Sequence, residues 1–354
     1  MVKSKNMIFY IIKRILLMIP MLFLILTVTF ILATFISQPG APLNNLDGLV
    51  DPLYIEAEKQ RMGFYDPWYI KLAKYFQNFF TGDWGISYLA AGGPGNELPV
   101  TTLIAKIFPK TIELVIIPII IIPILSVKLG VTSAKNRNNF KDSIVRGFMM
   151  IGVCLPVFWL ASLIQYFIGN TLFYFTYGAL NIETMNSNSV GMSYDPITGF
   201  RLIDSILLND QALLQDTLIH LILPSFCLII VSLAGITRQT RASMLEVMQK
   251  DYIRTARAKG VSDKDVINKH TLRNALIPTS TAIVGTVAGL LTGVMFIELS
   301  FNYTGMGWYM WKAIFEGDYV VINGILIFST TIILTGTLVS DILYTIIDPR
   351  IMYT

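Results

Sequence analysis

The side chains that carry out most enzyme chemistry are few in this sequence. It has two histidines, His220 and His270, and two cysteines, Cys154 and Cys227, which are far apart along the chain. Two histidines cannot form a histidine-rich metal site, and the cysteines lack the spacing of a metal or redox pair, so we expect both to pack among apolar side chains. The motifs His-Glu-x-x-His, Gly-x-Ser-x-Gly and Gly-x-x-x-x-Gly-Lys-Ser/Thr are absent. We therefore expect neither hydrolytic chemistry nor nucleotide binding by this chain.

The segment 238–274 offers a different chemistry, because nine of its residues are lysine or arginine. The composition of 241–259 favours a helix, and Glu246 with Lys250 forms a favourable pair one turn apart. Two interpretations fit these charges. The segment is either a rigid basic element that docks a cytoplasmic partner, or a solvated loop whose positive charge only sets the membrane topology.

Two breaks divide this basic segment. Gly260 is predicted to end the first helix, and Ser262 followed by Asp265 resembles a capping box that begins a second helix. The second helix is expected to run through Asn268 toward the next apolar run. The sequence thus predicts a helix, a glycine break and a capped helix.

A further pattern lies in the apolar run that follows. Gly285, Gly289 and Gly293 recur every four residues, so that one face of a helix is smooth and another helix can approach it closely. This face is either a packing surface or part of a pathway through the membrane, where Thr286 and Thr292 add polarity.

These residues must be held by membrane-spanning helices. Of the 354 residues, 54% are hydrophobic and only 14% are charged, and the mean hydropathy is +0.61, which is too apolar for an ordinary soluble protein. A charge at the bilayer centre costs roughly 2.5–3.5 kcal/mol, and no acidic residue occurs in any long apolar run. We predict an all-α membrane protein with six transmembrane helices, at residues 15–36, 114–134, 147–169, 217–237, 275–297 and 319–340.

The distribution of basic residues predicts the orientation. With the N-terminus inside, 18 of the 27 lysine and arginine residues fall on the cytoplasmic side, so both termini are expected there. The expected organisation is a first helix in 1–36, an external cap in 37–110, a membrane core in 111–345 with the cytoplasmic segment 238–274, and a tail in 346–354.

The basic segment carries a family resemblance. The run 251–278 resembles the EAA loop of ABC importer permeases in its peptide/nickel (OppB/DppB-like) version, with Arg254-Thr255-Ala256 at the Glu-Ala-Ala positions before Gly260. Leu272-Arg273 stands where the general motif has Leu-Pro, with proline delayed to Pro278, as in the peptide/nickel branch. Further stretches are similar to that family, namely 13–42, 62–67, 82–87, 298–308, 317–319 and 348–350.

The resemblance implies a type I importer fold in the plasma or inner membrane and a chain that forms half of a pathway for oligopeptides or dipeptides. It also implies as partners a second homologous permease, two ATP-binding subunits that bind ATP and Mg²⁺, and an extracytoplasmic solute-binding protein. We expect no cofactor or metal in this chain and no nucleic-acid partner. Nickel chelates or oligosaccharides are alternative solutes. A membrane receptor or scaffold that moves no solute is the alternative function, whereas an ion-coupled transporter is disfavoured by the lack of acidic residues in the apolar runs.

The resemblance also assigns roles to residues. The segment that couples the permease to an ATP-binding subunit would comprise Arg254, Thr255, Ala256, Arg257, Ala258, Lys259, Gly260, Ser262 and Asp265. An outer gate or a contact with the binding protein would comprise Asn302, Tyr303, Gly305, Gly307 and Trp308. Gly285, Thr286, Gly289, Thr292 and Gly293 would lie where the partner permease meets the pathway.

Overall fold

The fold is almost entirely helical, as predicted. A computed structural model describes residues 2–36, 52–61, 63, 65–87, 98–172, 186–187, 194–291 and 294–347. Five of its helices are long and apolar enough to cross a membrane, and the number is six if a bent pair of shorter helices forms one span. These five spans lie in α1 (Val2–Ile36), α4 (Val100–Lys135), α8 (Gln211–Met248), α10 (Leu272–Leu291) and α13 (Tyr319–Ile347). The helices are numbered along the chain, and the shorter ones are described below.

The third span is broken rather than straight. Helix α5 (Phe140–Cys154) and helix α6 (Val157–Ile164) meet at an angle of 103°, and α6 continues into a π-helical segment, Gln165–Leu172. Leu155 and Pro156 between them are extended, because the residue before a proline is driven out of the helical region. The predicted span at 147–169 is therefore bent sharply at Pro156.

The segment before the second span folds into short elements. Helices α2 (Pro52–Arg61) and α3 (Trp68–Thr81) precede a two-stranded antiparallel sheet, in which β1 (Ile86–Ser87) pairs with β2 (Leu98–Pro99). Helix α4 begins directly after β2, so residues 100–110 belong to the second membrane helix and not to the cap, contrary to the predicted boundary. Lys106, Pro109 and Lys110 hid this extension, because charge and proline usually mark the end of an apolar helix.

Helix α8 forms the centre of the bundle and packs along α4, α5 and α10. Its close approaches depend on small residues: a Cβ built on Gly130 of α4 would lie 2.5 Å from Thr240, and one on Gly152 of α5 would lie 2.8 Å from the Ala234 Cβ. Cys227 is buried in this core as predicted, whereas Cys154 is exposed, so its expected packing role was wrong.

The two ends of the bundle differ. One, here called the cap end, holds α2, α3, the sheet and three further helices, α7 (Arg201–Leu207), α11 (Met295–Ser300) and α12 (Met306–Glu316). The other, here called the loop end, holds helix α9 (Asp251–Ala258) and the turn Asp263–Asp265 that leads through the π-helical Val266–Thr271 into α10. The predicted span at 275–297 ends at Leu291, because α11 is a separate helix.

Candidate functional site

The basic segment forms a folded surface at the loop end. The predicted helix 241–259 is two helices, since α8 ends at Met248 and Lys250 is extended (φ −69°, ψ 147°) before α9. This turn buries Ile253 completely against the π-helical segment, so tertiary packing overrides the helix-forming composition. The pair of Glu246 and Lys250 is present, with 3.1 Å between Oε1 and Nζ.

The predicted glycine break and cap are confirmed. Gly260 has φ +77°, in the left-handed region that favours glycine. The Ser262 hydroxyl oxygen accepts a hydrogen bond from the Asp265 backbone N–H (3.2 Å), and the hydroxyl itself donates to the Asp265 carboxylate (3.0 Å). The second helix begins there and continues into α10.

The surface around Gly260 is polar and accessible. Arg254, Thr255, Arg257, Ala258 and Lys259 are exposed, whereas Ala256 is half-buried. The internal ion pairs of this surface are long, at 3.5 Å for Arg254 with Asp251 and 3.9 Å for Arg257 with Asp263. Such exposed pairs contribute little to stability, so these guanidinium groups can exchange them for carboxylates of a partner at low cost.

A buried ion pair connects this surface to the rest of the bundle. Asp142, in the first turn of α5, is fully buried and accepts hydrogen bonds from Arg241 Nε (2.9 Å) and Nη2 (3.0 Å). The Ser133 hydroxyl of α4 and the Asn138 backbone N–H donate to the same carboxylate. Arg241 lies on α8 ten residues before α9, so the cluster joins α4, α5 and α8 where the basic segment begins.

The glycine face of α10 is open. Gly285 and Gly289 are exposed, and a Cβ built on either would meet no atom within 4 Å. Among the described residues, neither glycine packs closely against another helix of the chain, and α10 contacts α13 through Ala288 against Gly336. Thr286 donates its hydroxyl to the Ala282 carbonyl at 2.9 Å. Thr292 and Gly293 lie outside the described residues.

A second buried polar cluster lies at the cap end around Glu298, which has no exposed surface. Its Oε1 accepts from the Thr111 hydroxyl of α4 (2.8 Å), and its Oε2 accepts from the Trp308 backbone N–H of α12 (2.9 Å). The Met306 backbone N–H donates in turn to the Thr111 hydroxyl oxygen (2.8 Å). Burial raises the pKa of Glu298 to about 7, although these hydrogen bonds oppose the shift.

The five residues predicted at the outer gate surround this carboxyl group. Tyr303, Gly305 and Gly307 are buried, so a direct contact with a binding protein could involve only Asn302 and Trp308. These two side chains hold each other, since the Trp308 indole N–H donates to Asn302 Oδ1 at 2.9 Å.

Another cluster of charged side chains lies at the cap end, and it was not predicted from the sequence. Arg201 of α7 is nearly buried and pairs with Asp216 of α8 at 2.7 Å, while Glu113 of α4 accepts from the Leu202 backbone N–H at 2.6 Å. His220, one turn after Asp216, contacts the Asp216 carbonyl at 2.8 Å. In the sequence these charged residues lie just outside the predicted spans, where an exposed side chain is the usual case.

A buried glycine, Gly307, and an exposed one, Gly289, allow a matched prediction about stability. A Cβ on Gly307 would lie 2.4 Å from the Met295 Cα, a backbone atom that cannot move aside, so we expect Gly307→Ala to lower the free energy of unfolding by about 1–3 kcal/mol. Gly289→Ala is expected to be neutral or stabilising by up to ~1 kcal/mol, because it adds helix propensity in open space. Thermal unfolding of the two variants in detergent micelles measures the difference. Equal stability would contradict the packing described for α11 and α12.

Comparison with known proteins gives consistent results. Residues 126–353 match the family described as "Binding-protein-dependent transport system inner membrane component". The chain is 33% identical to the oligopeptide transport system permease protein AppB of Bacillus subtilis, over 97% of this chain and 99% of that protein. It is 35% identical to the dipeptide transport system permease protein DppB of Alkalihalophilus pseudofirmus, over 98% of this chain and 100% of that protein. It is also 35% identical to the di/tripeptide transport system permease protein DppB of Pseudomonas aeruginosa, over 98% and 99%.

Proposed function

The chain belongs to the family of binding-protein-dependent transport system inner membrane components, and from that premise we propose that it forms half of the pathway of an ATP-driven peptide importer. The folded basic surface around Gly260 carries this proposal, because a conduit that lacks a phosphate loop needs a site at which another subunit supplies energy. The other subunits would be a second permease, two ATP-binding subunits and an extracytoplasmic binding protein.

The loop end is proposed to face the cytoplasm. Helix α9 would sit in a cleft of an ATP-binding subunit, with Arg254, Arg257 and Lys259 toward its carboxylates and the half-buried Ala256 allowing close approach. Gly260 lets the chain reverse direction without a side chain at the point of contact. Movement of α9 would then reach α4 and α5 through Arg241 and Asp142.

The open glycine face of α10 is proposed to meet the partner permease. Gly285 and Gly289 offer a smooth, exposed surface, and Thr286 adds a hydroxyl beside it. Thr292 and Gly293 would continue that surface. The cap-end residues around Glu298 would form the outer gate, with Asn302 and Trp308 available to the binding protein.

Peptides are proposed as the solute because the three relatives above are named as oligopeptide, dipeptide and di/tripeptide transport proteins. Nickel chelates and oligosaccharides are the alternatives that a direct assay must test. In membrane vesicles that contain the whole transport system, uptake of a radiolabelled dipeptide should require both ATP and the binding protein. Uptake driven by an ion gradient without ATP would contradict the proposal, and ligand binding without any uptake would favour a receptor.

Substitution at Gly260 tests the coupling role. A side chain there would obstruct the docking surface, and a carboxylate would also repel the acidic partner, so we expect Gly260→Asp to lower ATP-dependent uptake at least about tenfold, or ~1.4 kcal/mol of contact energy. Gly82→Asp is the matched control, because Gly82 has the same φ of +77° and equally open surroundings but lies at the cap end. Uptake assays normalised to the amount of inserted protein compare the two. Normal uptake by Gly260→Asp would refute the coupling role.

A further inference from the structure

A cavity of about 320 Å³ lies at the cap end between α1, α3 and α13. Its size is at the lower end of the range of pockets that bind small ligands, ~300–1,000 Å³. Two side-chain hydrogen bonds connect the elements that form its walls. The Thr29 hydroxyl of α1 lies 3.1 Å from the Tyr75 hydroxyl of α3, and on the other side the Ser87 hydroxyl donates to Asp318 at 2.8 Å.

The lining of the cavity is both apolar and polar. Phe30 and Ile327, in the first and last membrane spans, contribute apolar surface, whereas Lys71 and Lys74 of α3 and Asn323 of α13 contribute polar groups. Val320 and Ile327 lie seven residues apart on α13, so the cavity extends about 10 Å along that span. An amphiphile matches this mixed lining better than a wholly water-soluble ligand does.

The helix beside the cavity has the character of a membrane-surface helix. α3 exposes Trp68 (63%), Tyr69 (58%) and Phe80 (64%), and amphipathic aromatic rings of this kind concentrate at the boundary between lipid and water. The lysines on α3 therefore lie where lipid head groups are expected, and Phe30 and Ile327 lie within the membrane spans.

Two lysines and one aspartate line the cavity, so its charge favours an anion. Lys74 pairs with Asp66 at 2.6 Å, but its side chain is 53% exposed and an ammonium group has three donors, so it can bind a second oxygen. Asp83 also lines the cavity, and its carboxylate accepts a hydrogen bond from the Gly85 backbone N–H at 3.2 Å. Lys71 adds a second cation on the same face of α3.

We propose that this cavity binds one anionic phospholipid of the leaflet at the cap end, with its phosphate at Lys71 and Lys74 and the upper part of an acyl chain between Phe30 and Ile327. The bound lipid would lie between the first and last spans, which also pack directly on each other. This site is independent of the proposed transport function.

Native mass spectrometry of the complete transport complex tests the site, with the complex titrated in dodecyl maltoside with phosphatidylglycerol or phosphatidylcholine. We expect Lys71→Gln with Lys74→Gln to weaken phosphatidylglycerol binding roughly fivefold for each lysine, the equivalent of ~1 kcal/mol per charge, and to leave phosphatidylcholine binding unchanged. Lys106→Gln is the matched control, because Lys106 is exposed on α4 and does not line the cavity. Ile327→Trp should fill the part of the cavity between the first and last spans and so remove one bound lipid of either kind.

The opposing results are equally clear. The proposal is overturned if the double lysine variant retains phosphatidylglycerol as tightly as the wild type, or if the wild type does not distinguish the two lipids. A peptide mass in place of a lipid would also overturn it. Because a large side chain at Ile327 can strain the packing, thermal unfolding is measured in parallel, and the double lysine variant decides if the tryptophan variant does not fold.

Discussion

Replacing Asp142 with Ala is expected to lower the free energy of unfolding by about 3–5 kcal/mol, the usual cost of removing one partner from a buried ion pair. The loss is large because Arg241, with only 19% of its side chain exposed, would retain its charge without the carboxylate that receives two of its N–H groups. Ser133 and the Asn138 backbone N–H would lose the same acceptor. Denaturant or thermal unfolding of the purified chain in micelles measures the effect.

Two variants separate charge from volume in this experiment. Asp142→Asn keeps the shape of the side chain and should still lose most of the stability, because the charge is removed. Arg146→Ala should cost less than about 1 kcal/mol, since Arg146 is 47% exposed and its Nε lies 3.5 Å from the Asp142 carboxylate. A loss below about 1 kcal/mol for Asp142→Ala would show that water reaches this cluster and that it does not hold α4, α5 and α8 together.

The stability of the wild type should fall as the pH rises through the titration of Glu298. The carboxyl group has an ordinary pKa of 4.5 and a folded pKa of about 7. Between these values the unfolded chain loses a proton that the folded chain keeps. This contribution to stability is therefore complete below pH 4.5, declines by roughly 1.4 kcal/mol per pH unit, and is lost above pH 7, about 3 kcal/mol in total.

The Glu298→Gln variant isolates this titration from the others. The amide cannot ionise, so the difference in unfolding free energy between variant and wild type should grow from pH 4.5 to pH 7 in favour of the variant. Glu246→Gln is the control, because its side chain is 71% exposed at the loop end. Parallel pH profiles for wild type and Glu298→Gln would mean that Glu298 titrates normally and that the cap-end cluster is open to water.

The sequence was most informative where local chemistry determines structure. Apolar length predicted the spans, and the capping pair Ser262 and Asp265 with Gly260 predicted the break and the second helix at the loop end, because these depend on neighbouring residues alone. The turn at Lys250 was not predictable, since it depends on burying Ile253 against a segment that comes later in the chain.

The burial of several charged side chains was a larger omission from the sequence analysis than the turn at Lys250. Asp142, Arg201 and Glu298 lie near helix ends, and Glu113 lies just before the predicted second span, so the sequence gives no sign of whether each charged group meets water or another helix. Their partners are between 89 and 187 residues away in the cases of Glu113 with Leu202, Asp142 with Arg241, and Glu298 with Thr111. Only the packing of α4 against α7 and α11, and of α5 against α8, brings these groups together.

The break in the third span also decides which contacts hold this segment in its bent form. Helix α5 has 15 residues and helix α6 has eight, so at 1.5 Å per residue they reach only about 22 and 12 Å, and neither alone can cross a hydrocarbon core of ~30 Å. The bent form therefore depends on packing against α8, where a Cβ built on Gly152 would lie 2.8 Å from the Ala234 Cβ. A larger side chain at position 152 would push α5 away from α8 and remove this support.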